Sequence, residues 1–180
     1  MISQIHVLSA AHCFEEPNNL SRYSVGIELH ELENSTHLFH ININMVRPWH
    51  ISNHPNYKML CGEAEIPDFD FSILHFQQDF KKNFPLNDWL IPACLPDASI
   101  GGNFLAGKNL TISGWGEPFL YYLQKATLPG ASDDDCKTYI DTHGCPIPIN
   151  STNMLCAGNL ANRKVSDANG DSGGSIQCYL

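Results

Sequence analysis

Apolar residues recur at every second position over several short stretches of the chain. Val25, Ile27 and Leu29 form one such row, Ile41, Ile43 and Met45 a second, Leu110 and Ile112 a third, and Ile176, Cys178 and Leu180 a fourth. Side chains of an extended strand alternate between its faces, so each row predicts a strand with one buried face. Turn-forming clusters separate the rows, Asn53-His54-Pro55-Asn56 and Gly101-Gly102-Asn103 among them. Short strands punctuated in this way predict an all-β architecture of the barrel or sandwich type.

One segment departs from period two. Ser132, then Asp133, Asp134 and Asp135, then Cys136-Lys137-Thr138-Tyr139-Ile140 read as a short helix over 132–140. Serine suits the N-cap, and acids suit the first turn, where the positive end of the helix dipole lies. A cation site is the weaker reading, because adjacent helical residues point in different directions and do not converge on one ion. The stretch Ile91-Pro92-Ala93-Cys94-Leu95-Pro96-Asp97 reads as a linker between two β-rich halves, which sets boundaries of 1–90, 91–104 and 105–180. Internal repeats and low-complexity runs are lacking.

Composition narrows the function classes. At 180 residues the chain is long enough for one good core or two small ones. Only 16% of residues are charged, well below the roughly 25% of an average soluble protein, so neutral Asn, Ser and Thr must cover much of the surface. Net charge is −9 and the ten Lys and Arg are scattered, which argues against nucleic acid as a partner. No apolar run reaches the roughly 20 residues of a membrane span, and the first residues lack the charged start and apolar core of a secretory signal. Seven cysteines, with sequons at Asn19, Asn34, Asn109 and Asn150, nevertheless predict a secreted glycoprotein.

The candidate chemistry lies near the two ends. Gly170-Asp171-Ser172-Gly173-Gly174 precedes a predicted strand, and glycines around a serine let the backbone turn sharply and aim N–H groups at a developing oxyanion. The same residues satisfy the Gly-x-Ser-x-Gly elbow of α/β-hydrolases, but that fold places its acid and histidine after the serine, and residues 173–180 contain neither. The order His, Asp, Ser is available instead. His12 lies in Leu8-Ser9-Ala10-Ala11-His12-Cys13, and Asp70 lies at the entrance to Phe71-Ser72-Ile73-Leu74. An acid entering an apolar strand is costly to bury without a partner, and a histidine Nδ1–H would be one. Asp68, two residues earlier, is the rival acid. His37/His40 and His50/His54 pair imidazoles at close spacing, yet neither pair has Cys, Asp or Glu in a ligand pattern, so no metal and no cofactor is expected.

Ser9-Ala10-Ala11-His12-Cys13, Asp70-Phe71-Ser72-Ile73-Leu74, Ser113-Gly114-Trp115-Gly116, Met154-Leu155-Cys156-Ala157-Gly158 and Gly170-Asp171-Ser172-Gly173-Gly174 occur in an order and spacing that resembles the trypsin-like (chymotrypsin family, peptidase S1) serine endopeptidases. The resemblance runs the length of the chain. It implies a double β-barrel with Ser172 as nucleophile, His12 as general base and acid, Asp70 as the carboxylate that fixes the imidazole, and the N–H groups of Gly170 and Ser172 as the oxyanion hole. It favours Asp70 over Asp68. It also implies a Cys136–Cys156 disulfide, a polypeptide substrate or protein partner, and serpin-type inhibitors. The floor of the specificity pocket falls on Ser166 without a gap, or on Asp167 with one deletion.

The chain also departs from that family. Met1-Ile2-Ser3 falls on the strand just before the catalytic histidine, and Leu180 falls before the family's substrate-binding strand, so the resemblance implies a domain cut at both ends, with both barrels incomplete. The family's activating amine, which pairs with the residue matching Asp171, is missing, and Asp171 is expected to turn elsewhere. The family partners of Cys13 and Cys178 are absent, Leu110 stands where the latter's would be, and Cys61 and Cys145 match no family position. Cys94 resembles the cysteine that tethers a propeptide. These departures predict little or no catalysis by this chain, and keep open a non-catalytic homologue that acts by protein binding.

Overall fold

The computed structural model describes residues 1–27, 29, 44–59, 67–77, 79–83, 90–97, 100, 102–116, 122–143, 153–158 and 169–178. Strands predominate. β1 (His6–Ser9), β2 (Val25–Ile27), β3 (Asn44–Val46), β4 (His50–Asn53), β5 (Lys58–Met59), β6 (Pro67–Asp68) and β7 (Ser72–His75) come first, followed by the short helices α1 (Phe80–Asn83) and α2 (Gly102–Leu105). β8 (Asn109–Gly114), β9 (Gln124–Pro129) and α3 (Asp133–His143) complete the order. Among the described residues these strands form small antiparallel sheets and close no barrel.

The principal sheet has the order β1-β7-β4. Its register aligns Val7, Leu74 and Ile51 in one row and His6, His75 and His50 in the next. Period two sends these rows to opposite faces. Ile51 and Leu74 bury themselves with Phe14, Ile27, Phe76 and Phe80, and Val7 packs against that cluster. Gln4 and Ile5 carbonyls accept the Phe80 and Phe76 amides, each at 2.9 Å, which seats the start of α1 on the core.

Further along the inward face, the row Ser9, Ser72 and Asn53 is polar. Ser72 is buried and donates to the Ser52 carbonyl (3.5 Å), while the Asn53 side-chain Nδ2 donates to the Phe14 carbonyl (3.1 Å). The sheet thus passes from apolar to polar toward the end where β1 stops and β7 starts.

In the second half β8 pairs with β9 over its full length, burying Leu110 and Leu128. The predicted helix is present and runs past its expected end to His143. Ser132 caps it: the Asp135 backbone N–H donates to Ser132 Oγ (3.1 Å), and the Ser132 hydroxyl in turn donates to the Asp135 carboxylate (2.7 Å). Cys136 and Cys156 form a disulfide.

Two expectations are modified. Gly102 and Asn103, read as a turn, open α2, and the Asn103 side chain accepts the Asp133 amide (3.1 Å), tying α2 to the start of α3. Of the Ile176–Leu180 row, the described residues 176–178 make one bridge at Gln177, whose backbone exchanges hydrogen bonds of 2.8 and 2.9 Å with Thr111. The Val25–Leu29 row yields β2, and of the Ile41–Met45 row only β3 lies within the described residues.

The loop after Gly170 docks on the first half through Gly173. Gly173 has φ 80°, and a Cβ there would run into Ser9 Oγ and lie 3.3 Å from the Ala10 nitrogen. Gly107 has a similar φ of 72° with nothing within 4 Å of a Cβ. Gly107→Ala should therefore cost only the left-handed backbone term of about 1–2 kcal/mol. Gly173→Ala should cost measurably more in urea denaturation; equal losses would show that the close approach is not tight.

The outward row makes a ladder of imidazoles. His6 meets His75 edge to face with centroids 5.0 Å apart, His50 lies 5.2 Å from His75, and Trp49 lies 6.0 Å from it. Burial, then the charges that His6 and His50 acquire on protonation, push the His75 imidazole below the usual histidine value. As pH falls below the unfolded value near 6.5, the unfolded chain binds a proton that the folded chain resists, so stability drops toward acid. The thermal midpoint should fall between about pH 7.5 and about pH 5, and His75→Gln should make that slope shallower. Parallel slopes would remove the ladder as the cause.

Candidate active site

Antiparallel register brings His12 and Asp70 together. Ser9 ends β1 opposite Ser72, which starts β7, so the residues just after one and just before the other emerge at the same end of the sheet. His12 sits in a 3-10 turn over Ala11–Cys13, whose Ala11 is fully buried. Asp70 accepts two hydrogen bonds from it: the His12 backbone N–H reaches Oδ1 at 2.8 Å, and His12 Nδ1 lies 2.7 Å from Oδ2. A carboxylate only accepts, so Nδ1 carries the proton and Nε2 presents its lone pair. The His12 side chain keeps 36% exposure against 18% for Asp70, leaving the base open on the side away from its acid.

Asp68 goes elsewhere. It is buried, its Oδ1 accepts from Asn153 Nδ2 at 2.7 Å, and Lys58 Nζ lies 3.7 Å from its Oδ2.

Ser172 lies beside this pair. Ser9 Oγ donates to the Gly173 carbonyl (3.4 Å), and the Cys13 thiol donates to the Ser172 carbonyl (3.7 Å). The same sulfur is 3.7 Å from His12 Nε2. Burial, then the Asp70 charge, push the Cys13 thiol up, which keeps its proton in place. One S–H thus serves two acceptors, and no hydrogen bond joins Ser172 Oγ to His12. Gly170 has φ 91°, and Asp171 accepts the Gly116 amide at 2.8 Å through Oδ1 while its carbonyl accepts the Gly174 amide at 3.0 Å. Gly114 has no side chain where the Asp171 carboxylate packs.

The remaining sequence candidates divide. Ser166 and Asp167 lie outside the described residues, as do Cys61, Cys145, His37, His40, Asn34 and Asn150. Asn19 and Asn109 are exposed. His50 partners His75 rather than His54, whose ring stacks on Phe69 at 4.9 Å. Three participants carry no signal in the sequence: Cys13 as a thiol at His12 Nε2, Ser9 under Gly173, and Asn153 on Asp68. The last two depend on segments far apart in the chain being docked together, and the first on how the turn over Ala11–Cys13 rotates two adjacent side chains.

The family model for trypsin matches residues 1–179. The chain is 29% identical over 182 residues to vitamin K-dependent protein C of Oryctolagus cuniculus, covering 94% of this chain and 35% of that protein. It is 32% identical over 180 residues to transmembrane protease serine 9 of Rattus norvegicus, covering 96% and 15%. It is 29% identical over 178 residues to hepatocyte growth factor activator serine protease of Homo sapiens, covering 96% and 25%. The chain therefore spans about a third or less of these relatives' own lengths. With the trypsin model matching almost every residue of a strand-rich fold that brings His12 to Asp70, the chain belongs to the trypsin-like S1 serine protease family.

Proposed function

We propose that the chain is a trypsin-like serine endopeptidase domain that hydrolyses peptide bonds with Ser172, His12 and Asp70. The observation that carries this reading is the doubly bonded His12–Asp70 pair. With Nδ1–H committed to Asp70, Nε2 takes the Ser172 hydroxyl proton as Oγ attacks the scissile carbonyl, and returns it to the leaving amine. The imidazolium formed in between faces the Asp70 carboxylate. The N–H groups of Gly170 and Ser172 then receive the oxyanion, and Ser166 or Asp167 forms the pocket floor. The domain is a double β-barrel with halves at 1–90 and 105–180 joined by 91–104. The Cys136–Cys156 disulfide and the exposed sequons at Asn19 and Asn109 favour an extracellular site of action, where a polypeptide is the substrate and serpin-type proteins are the inhibitors.

A second reading rests on a specific contact. The Cys13 thiol occupies the approach to His12 Nε2 that the Ser172 hydroxyl needs, which favours a weakly active or non-catalytic domain that binds proteins. A fluorophosphonate probe separates the two. For an endopeptidase, the wild-type chain labels, Ser172→Ala does not, and His12→Ala labels about 10²–10⁴-fold more slowly. Wild-type labelling no faster than Ser172→Ala would replace the peptidase reading with the binding one.

A further inference from the structure

Asp68 and Asp70 are two residues apart, and an extended chain would send both carboxylates to the same side. They instead reach partners in different parts of the molecule, Asn153 and Lys58 for Asp68 and His12 for Asp70. The residue between them explains the divergence. Phe69 has φ 51°, the one non-glycine residue in the left-handed region among the described residues. For a bulky aromatic this conformation is strained and persists only where its surroundings over-determine it.

Those surroundings can be named. Downstream, the Phe71 amide donates to the Phe69 carbonyl and the His54 amide to the Phe71 carbonyl, both at 2.8 Å. The Phe69 ring stacks on the His54 imidazole with an interplanar angle of 10°. Upstream, the restraint is Asp68 itself, buried and bonded to an asparagine from the other half of the chain. Asn153 has its Oδ1 buried without a hydrogen-bond partner, so the side chain's described bond is the one its Nδ2 gives to Asp68.

We propose that Asp68 is a positioning residue: its bond to Asn153 holds the left-handed turn at Phe69 and thereby aims the Asp70 carboxylate at His12. Without that tether the turn relaxes toward extended backbone, and Asp70 swings away from the imidazole while the strands on either side stay paired. The consequence for catalysis rests on the triad proposed above; the positioning itself does not.

The test uses nuclear magnetic resonance of the His12 Nδ1 proton alongside fluorophosphonate labelling. In the wild type that proton gives a low-field signal protected from exchange by its carboxylate acceptor. Asp68→Ala should abolish the protected signal and slow labelling by as much as about 10²-fold, the loss a 1 Å misplacement can produce. Asp68→Asn keeps an oxygen for Asn153 Nδ2 and should restore the signal, which a general loss of packing would not allow. Should Asp68→Ala fail to fold, Asn153→Ala removes only the donor, and it should also lose the signal. A signal unchanged in folded Asp68→Ala, or in Asn153→Ala, would overturn the proposal. A wild type that never labels, but whose signal depends on Asp68, would retain the positioning role and discard the peptidase reading.

Discussion

The structure around the site depends on one carboxylate accepting twice from one residue. Asp70 takes both the backbone N–H and the Nδ1–H of His12. The first bond fixes where the 3-10 turn sits, and the second fixes how the ring is rotated within it. Neither would be possible without the β1–β7 register, because a slip of one residue would exchange the faces of the strand and send Ser9 and Ser72 outward. The apolar row Val7, Leu74 and Ile51 therefore sets the chemistry indirectly: burying those side chains chooses the register, and the register delivers the base to its acid.

Charge and proton placement follow from that pair. The Asp70 carboxylate holds the imidazole in one tautomer and also raises the cost of ionising Cys13 next door. The thiol therefore stays a donor, and what it donates to is the Ser172 carbonyl or His12 Nε2. A weak S–H bond to Nε2 is easily exchanged for a stronger O–H bond, since a hydroxyl is the better donor. The thiol contact is thus a weak one, which a hydroxyl brought to His12 Nε2 would displace.

Local rules and motif order made much of this legible. An acid at the entrance of an apolar strand had to find a donor, and Asp70 did; Ser132 with three acids after it had to start a helix, and it did. The Cys136–Cys156 bridge followed from the family resemblance. What stayed illegible depends on register and docking. The imidazole ladder of His6, His75 and His50 exists only because three strands pair with those residues level, whereas sequence spacing alone pairs His50 with His54. The split between Asp68 and Asp70 depends on Phe69 adopting a conformation that aromatic residues rarely take, and nothing local to Phe69 announces it.

The second half of the chain reaches the His12–Asp70 pair from two sides. Gly173 packs on Ser9, directly ahead of the turn that carries His12, and Asn153 bonds to Asp68, directly ahead of the turn that carries Asp70. Each contact bears on one member of the pair through backbone rather than through the reacting groups. A site built in this way responds to how the halves dock. The Ser172 loop and the segment ahead of Asp70 each lean on a contact made by the second half, Gly173 on Ser9 for the one and Asn153 on Asp68 for the other. On the peptidase reading proposed above, Ser172 and the His12–Asp70 pair are therefore linked through the docking of the second half, although no hydrogen bond joins Ser172 Oγ to His12.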